Sequence, residues 1–204
     1  MSSHEPARPR ESVDQILAGL LEDNRHYAEG QPRRAPVSPE ARSRLVCGQS
    51  PSVAVLACSD SRVAPEIVFD RGLGELFVVR VAGNVVDDTV LGSLEYAVEH
   101  LGVTLILVMG HSACGAVTSA CSCSFDELQG ATGTVLKALE PAVEAAKATC
   151  SLADDLVDTS GRLNVGAQIE AVLASPVINE AVAHERLEVR GAWYDLATGL
   201  VSWF

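Results

Sequence analysis

Three short, uninterrupted apolar runs constrain the fold of this chain more than any other feature. They are Val53–Ala57, Leu76–Ala82 and Leu105–Met109. Runs of this length without polar alternation are typical of strands that are buried on both faces of a parallel sheet. Between the second and third runs, apolar residues recur at helical spacing from Val90 to Leu101. The pattern therefore predicts strands joined by helical crossovers, the βαβ arrangement.

Further helices are predicted before and after these strands. Ser12 and Gln15 form a capping-box pattern in front of an apolar face over residues 13–21. The chain ends in two strand-like runs, Leu187–Tyr194 and Leu200–Phe204, which predict a hairpin. We expect an α/β fold: a mainly parallel central β-sheet flanked by helices, with an N-terminal helical arm and a C-terminal strand hairpin. The remaining predicted helices cover residues 39–47, 130–147, 164–174 and 176–184.

The length and composition of the chain favour a single domain. Its 204 residues are 48% hydrophobic, which is enough apolar area for one core. Residues 1–11 have little apolar content, and we expect a disordered tail there. Residues 12–204 are then one domain, in which residues 12–48 form the helical arm.

Charge and hydropathy exclude several classes of partner. A net charge of -12 argues against binding to nucleic acid or to an anionic membrane, because both require a cationic surface. No apolar run approaches the roughly 20 residues that span a bilayer, and residues 1–10 lack the apolar stretch of a signal peptide. These features favour a cytoplasmic protein that acts on a small molecule.

Two cysteines and a histidine follow two of the predicted strands. Cys58 comes directly after the first apolar run, and His111 and Cys114 come after the third. Because the carboxyl ends of parallel strands meet at one edge of a sheet, we expect these side chains to meet there. A lone buried cysteine is more often packing than a ligand, but three ligand-type residues at two strand ends favour Zn²⁺. Three protein ligands leave a fourth position open, which is typical of catalytic zinc.

An acid and a base lie next to the first predicted ligand. Asp60 and Arg62 are two and four residues after Cys58. The Asp60 carboxylate could accept a hydrogen bond from a zinc-bound water or hydroxide, or could itself occupy the open position. Arg62 would keep that carboxylate ionised through charge-assisted hydrogen bonds. The pair predicts a catalytic role rather than a structural one for the metal site.

These residues resemble the paired signatures of the β-class carbonic anhydrases. The similarity is carried by Cys58–Arg62 (CSDSR) and Gly110–Gly115 (GHSACG), and it extends through Gly48–Pro51, Gly74–Arg80 and Leu94–Val98. The resemblance implies one Zn²⁺ per chain, bound by Cys58, His111 and Cys114 beside an Asp60–Arg62 dyad. It also implies reversible hydration of carbon dioxide to bicarbonate and a proton, by attack of zinc-bound hydroxide.

The resemblance also assigns residues around the substrate. Gln49, Phe77 and Tyr96 match positions that line the substrate pocket, in part from the neighbouring subunit, and His100 matches a position suggested for proton release. Judged by sequence alone, Phe77 could equally be core, Gln49 a solvent contact and His100 a surface residue at a helix end. Some relatives carry a tryptophan where this chain has Val55, as part of a noncatalytic bicarbonate site. We therefore expect no such site here, and Asp60 held off zinc by Arg62.

The family forms dimers in which N-terminal helices embrace the partner, and the dimers often assemble further. We expect the apolar face over residues 13–21 to pack on a second subunit, although it could instead cover its own domain. The C-terminal hairpin would offer a sheet edge that must be paired or covered. A homodimer or homotetramer is therefore predicted.

Three alternatives stay open at this point. The GHSAC segment approaches a nucleophile elbow, with Ser112 as nucleophile and His184 as a possible base of a serine hydrolase. Carbon disulfide or carbonyl sulfide hydrolysis would use the same fold and metal with another substrate. A noncatalytic zinc protein would need a fourth permanent ligand, for which Cys121 and Cys123 are the nearby candidates.

Overall fold

The computed structural model describes residues 11–33, 37–150 and 153–204. Within them one five-stranded sheet has the second strand at one edge and runs in the order second, first, third, fourth, fifth. The first four strands along the chain are parallel to one another, and the fifth is antiparallel to the fourth. This confirms the predicted α/β fold with its C-terminal hairpin. The strands are β1 (Val53–Cys58), β2 (Leu76–Val81), β3 (Leu105–His111), β4 (Glu188–Tyr194) and β5 (Val201–Trp203).

Helices cover both faces of the sheet and the end that carries Cys58. Two of them differ from the prediction, and the tail predicted for residues 1–11 lies outside the described residues except for residue 11. No helix among the described residues combines the length and apolar character required to cross a bilayer. The helices are α1 (Val13–Ala28), α2 (Pro39–Arg44), α3 (Pro65–Val68), α4 (Asp88–Tyr96), α5 (Gly115–Ser122), α6 (Gly130–Lys147), α7 (Ala153–Leu173) and α8 (Pro176–Ala183).

The two helices with different bounds show where local sequence was insufficient. α2 ends at Arg44 rather than residue 47, because the next two amides bond to carbonyls three residues back and close the last turn. α7 begins eleven residues earlier than predicted. Its first half is polar and contains Gly161, so its periodicity is weak. Tertiary packing favours the helix there, since a Cβ on Gly161 would lie 2.8 Å from the Trp193 ring.

Three apolar clusters hold the layers together. On one face of the sheet, Ile16 and Leu20 of α1 pack with residues of β1 and β3, while α4, α7 and α8 cover the other face. The third cluster lies at the carboxyl end of β1, where Cys58 and Cys114 pack with side chains of α5 and α6, including Leu139. The two sulfur atoms are therefore set in an apolar surrounding.

The N-terminal helix is fixed to its own chain. Ile16 is 6% and Leu20 1% exposed, so the sheet of the same chain already covers this part of the apolar face. At these two residues the structure matches the alternative in which the face covers its own domain, and packing of the rest of α1 on a second subunit stays a prediction. Asn24, one turn further, donates from Nδ2 to the carbonyls of Val68 and Gly199 at 3.0 and 2.9 Å. Its Oδ1 accepts from the Val201 amide at 2.8 Å.

Asn24→Leu is expected to lower the free energy of unfolding by about 2 to 4 kcal/mol, because the substitution leaves buried backbone groups without partners. Urea denaturation measures this change. Asn179→Leu is the control, since Asn179 is exposed and makes one long bond, 3.3 Å, to the Leu173 carbonyl. Its effect should stay below about 1 kcal/mol. Equal effects of the two substitutions would show that the Asn24 contacts do not fix α1.

Candidate metal centre

The predicted ligands come together at the carboxyl edge of the sheet. Cys58 ends β1, His111 ends the neighbouring strand β3, and Cys114 is the N-cap residue of α5. All three are buried, and their ligand atoms lie within 4.8 Å of one another. The sulfur atoms of Cys58 and Cys114 are 3.9 Å apart. The sequence prediction that these side chains meet is confirmed.

The arrangement fits a tetrahedral zinc ion. Zinc–sulfur bonds of about 2.3 Å at tetrahedral angles place two sulfur atoms about 3.8 Å apart, close to the separation between Cys58 and Cys114. His111 supports the same conclusion. Its Nδ1 donates to the Ser112 carbonyl at 2.9 Å, which leaves an acceptor lone pair on Nε2. That Nε2 is buried and has no hydrogen-bond partner in the described part of the chain, as expected of a metal ligand.

The two thiols share their protons unequally. Cys114 donates toward the Cys58 sulfur, which lowers the pKa of Cys58, and the Gly83 amide also donates to that sulfur. The pKa of Cys114 is raised, because the thiol donates this bond and because it is buried. One thiolate is therefore stabilised in the apoprotein, and metal binding would displace the remaining proton.

Asp60 and Arg62 form a tight pair beside this group. Asp60 Oδ1 accepts from the Arg62 backbone amide and from Nε, both at 2.9 Å, and Oδ2 accepts from Nη2 at 2.6 Å. These bonds from Arg62 hold the pKa of the Asp60 carboxyl well below its usual range. The Asp60 side chain is 14% exposed and that of Arg62 54%, so the pair connects the site to solvent.

The ligand loops are clamped by residues that the sequence analysis missed. Arg80, near the end of β2, donates from Nε to the Cys58 carbonyl at 3.1 Å and from Nη2 to the Asp60 carbonyl at 2.6 Å. Asp158 of α7 accepts from the Ala113 amide at 3.2 Å, and Arg62 donates to the Ala113 carbonyl. Ala113 has a φ of 50°, a backbone conformation that favours glycine. The hydrogen bonds from Ala113 to Asp158 and from Arg62 to Ala113 therefore fix a conformation that would otherwise be unfavourable. Arg80 ends the Gly74–Arg80 stretch of the resemblance, which assigned it no role, and the sequence held no signal for Asp158.

The predicted pocket residues do not join the metal ligands within one chain. Phe77 is level with Ala54 in the sheet, four residues before Cys58, which corresponds to about 13 Å along the strand. Tyr96 contacts Phe77, with ring centroids 6.3 Å apart, and the exposed His100 contacts Tyr96 at 5.0 Å. Gln49 is exposed and precedes β1. These residues therefore group near the amino edge of the sheet, opposite the ligands.

The geometry does not assemble two of the alternatives. Ser112 Oγ accepts from the Leu196 amide at 2.9 Å, and no histidine of the described residues bonds to it. His184 instead contacts the Glu180 carbonyl through Nδ1, so no serine–histidine dyad forms. The group of possible metal ligands found in the described residues has three members and includes neither Cys121 nor Cys123. A closed four-ligand zinc site is not present there.

Comparisons with known proteins agree with the fold. A family profile described as carbonic anhydrase matches residues 53–201. Carbonic anhydrase 2 of Mycobacterium tuberculosis is 39% identical over 185 residues, covering 88% of this chain and 87% of the relative. The carbonic anhydrase of Pseudomonas aeruginosa is 37% identical over 199 residues, covering 92% and 85% of the two chains.

Solved structures give the same result. A β-carbonic anhydrase of Coccomyxa, determined with acetazolamide, superimposes with a TM-score of 0.74 and 34% identity over 92% of this chain and 86% of that one. A β-carbonic anhydrase from Sordaria macrospora, described as tetrameric, superimposes with a TM-score of 0.75 and 31% identity. The match covers 93% of this chain and 96% of that one. Because the family profile, the relatives and the solved structures are all carbonic anhydrases, the chain is an enzyme of the lyase class. The chain belongs to the β-carbonic anhydrase family.

Proposed function

We propose that this chain binds one zinc ion through Cys58, His111 and Cys114 and catalyses the reversible hydration of carbon dioxide to bicarbonate and a proton. The observation that carries the proposal is the buried cluster of two sulfur atoms and one unpartnered imidazole nitrogen beside the Asp60–Arg62 pair. Three protein ligands leave one coordination position for chemistry, as in other catalytic zinc sites.

When bound, zinc supplies a Lewis acid that lowers the pKa of water at the open position toward about 7. The protein determines how that acid is held. The Ser112 carbonyl fixes the tautomer and the direction of the His111 ring, which presents Nε2 to the site. Arg80 holds the carbonyls on either side of Ser59, and thereby the backbone that carries Cys58.

The Asp60 carboxylate is oriented for proton transfer rather than metal binding. Oδ1 already accepts two hydrogen bonds from Arg62 and Oδ2 accepts one, so Oδ2 retains a lone pair for one further donor. A water molecule that attacks carbon dioxide can therefore donate its hydrogen bond to Asp60, which directs the remaining oxygen lone pair to the substrate carbon. Because Arg62 keeps the carboxylate ionised, Asp60 stays an acceptor in the neutral pH range.

The chain is proposed to form homodimers or homotetramers, and the substrate pocket is proposed to form between two copies of the chain. Gln49, Phe77 and Tyr96 lie at the opposite edge of the sheet from the ligands of their own chain, yet Tyr96 exposes 48% of its surface. Gln49 lines an open cavity of about 460 Å³ together with apolar side chains, including Leu45 and Val46. Apolar side chains suit carbon dioxide, and the Gln49 amide with the Arg42 guanidinium in the same lining suits bicarbonate. His100, beside Tyr96, would then lie at the rim, where it could release protons.

Coexpression of two defective chains tests this arrangement. One chain carries Cys58→Ser and keeps the pocket residues; the other carries Gln49→Ala and Tyr96→Ala and keeps the ligands. If the pocket forms between subunits, each mixed dimer contains one complete site, and an equal mixture should recover about a quarter of wild-type activity. Stopped-flow hydration of the purified mixture measures the recovery.

Two controls accompany the coexpression. Each defective chain expressed alone should show at least about a tenfold loss of hydration activity, because a misplaced substrate reacts more slowly by at least this factor. If coexpression gives only the sum of the separate activities, the pocket is not shared between chains. Turnover of carbon disulfide or carbonyl sulfide without carbon dioxide hydration by the wild type would replace the proposed substrate.

A further inference from the structure

A short turn after β2 brings one backbone amide to the first metal ligand. The turn covers Ala82–Asn84, and the Gly83 amide donates to the Cys58 sulfur at 3.3 Å. Gly83 and Asn84 have φ of 69° and 45°, two successive residues in the left-handed region. A Cβ on Gly83 would also lie 3.1 Å from Leu139 Cδ1. Glycine and asparagine adopt this region more readily than other residues, so the sequence permits the turn, and its surroundings fix where it lies.

Two buried amide side chains of α7 hold this turn. Asn164 donates from Nδ2 to the Gly83 carbonyl at 2.9 Å. Gln168, one helical turn further, donates from Nε2 to Asn164 Oδ1 at 2.9 Å and accepts from the Val86 amide through Oε1 at 2.7 Å. Asn164 is 1% and Gln168 6% exposed. Burying two amides is unfavourable unless they are hydrogen-bonded, and the described bonds satisfy both in this way.

All four hydrogen bonds run in one direction. The Val86 amide donates to Gln168, Gln168 to Asn164, Asn164 to the Gly83 carbonyl, and the Gly83 amide to Cys58. Because a backbone N–H can only donate, Val86 determines the orientation of both side-chain amides. The first three bonds polarise one another through the two side-chain amides. The Gly83 carbonyl and the Gly83 amide belong to different peptide groups, so the chain of bonds acts on the sulfur by holding the turn in place.

We propose that Asn164 and Gln168 are positioning residues for the metal ligand Cys58, acting through the Gly83 amide. This inference rests on the proposed zinc site. The amide fixes the position of the Cys58 sulfur, so that the ligand is already placed for the metal, and its hydrogen bond also withdraws some charge from the sulfur. Outer partners that orient a ligand in this way contribute about 10- to 100-fold to metal affinity or activity.

The test compares Asn164→Leu with a matched substitution elsewhere. Leucine has the same number and branching of side-chain heavy atoms as asparagine and removes the donor to Gly83. Asn24→Leu is the control, because Asn24 is equally buried, is also hydrogen-bonded to backbone groups, and lies on α1 outside the metal centre. Both variants should lose stability in urea, which removes general destabilisation as an explanation of any difference in metal binding.

Two measurements besides activity carry the test. Competition with a chelator should show zinc affinity reduced about 10- to 100-fold in Asn164→Leu and within about twofold of wild type in Asn24→Leu. In the cobalt-substituted protein, the sulfur-to-metal charge-transfer absorption should move to longer wavelength in Asn164→Leu alone, because the thiolate becomes more electron-rich. Unchanged zinc affinity and absorption in Asn164→Leu would overturn the inference.

Gln168→Leu keeps the inference testable if Asn164→Leu does not fold. Gln168 acts on Cys58 less directly, through Asn164 and through the Val86 amide that follows the turn, so its effect should have the same direction and be smaller, about three- to tenfold in zinc affinity. No difference between Gln168→Leu and Asn24→Leu would contradict the relay. Failure of the wild-type protein to bind zinc would instead contradict the proposed function, so the two failures are distinguishable.

Discussion

Replacing Cys58 by serine is expected to weaken zinc binding by more than about 100-fold and to reduce carbon dioxide hydration to background. The loss of affinity should exceed that caused by removing a residue that only orients a ligand. A hydroxyl does not ionise at neutral pH and is a poor zinc ligand, so the site would keep one thiolate and one imidazole. Chelator competition and stopped-flow hydration measure the two effects on the same preparation.

Cys121→Ser is the matched control for this substitution. Cys121 is a partly buried thiol that contacts Ser160 Oγ at 3.6 Å and is not among the grouped ligands. The same chemical change there should leave zinc content and activity at wild-type values. Retention of wild-type zinc affinity by Cys58→Ser would show that Cys58 does not bind the metal.

Asp60→Asn is expected to lower kcat by at least about 100-fold while zinc stays bound, because a positioned proton acceptor typically contributes at least this much. The amide keeps the shape of the carboxylate but loses its charge and half of its acceptor capacity. Because the pKa of Asp60 is held well below its usual range by Arg62, the carboxylate should act as an acceptor throughout the neutral and mildly acidic range, and the pair is lost only in strong acid.

The Glu188–Arg190 pair provides a control of the same type. It too joins a carboxylate to an arginine two residues later, but it lies at the exposed start of β4. Glu188→Gln should therefore leave both zinc content and kcat unchanged. Wild-type kcat in Asp60→Asn would contradict a role in proton transfer, and loss of zinc in that variant would point to a structural role instead.

The ligand set could be predicted from sequence because each residue is tied to a strand end. Cys58 and His111 follow buried apolar runs, and the rule that carboxyl ends of parallel strands share one edge brings them together. Asn164 and Gln168 could not be predicted in the same way. They lie more than 50 residues after His111 along the chain, on a helix whose apolar periodicity is weak and gives no sign of contact with a ligand turn.

The sequence of one chain did not indicate that the pocket residues lie apart from the metal ligands. Resemblance placed Phe77 and Tyr96 in a pocket, but only the strand register shows that they lie toward the opposite edge of the sheet. For α1, hydrophobic spacing predicted the apolar face correctly, yet spacing does not specify what covers it. Asn24 interrupts that face and fixes the helix to its own chain through three backbone partners.

Zinc content and carbon dioxide hydration, measured on one wild-type preparation, test the central claim most directly. We expect about one zinc per chain and hydration that increases over about pH 7 to 9, is lost on treatment with a chelator and returns when zinc is added. A preparation that holds about one zinc per chain and shows no hydration anywhere in that range would contradict the assignment of this site to carbon dioxide hydration.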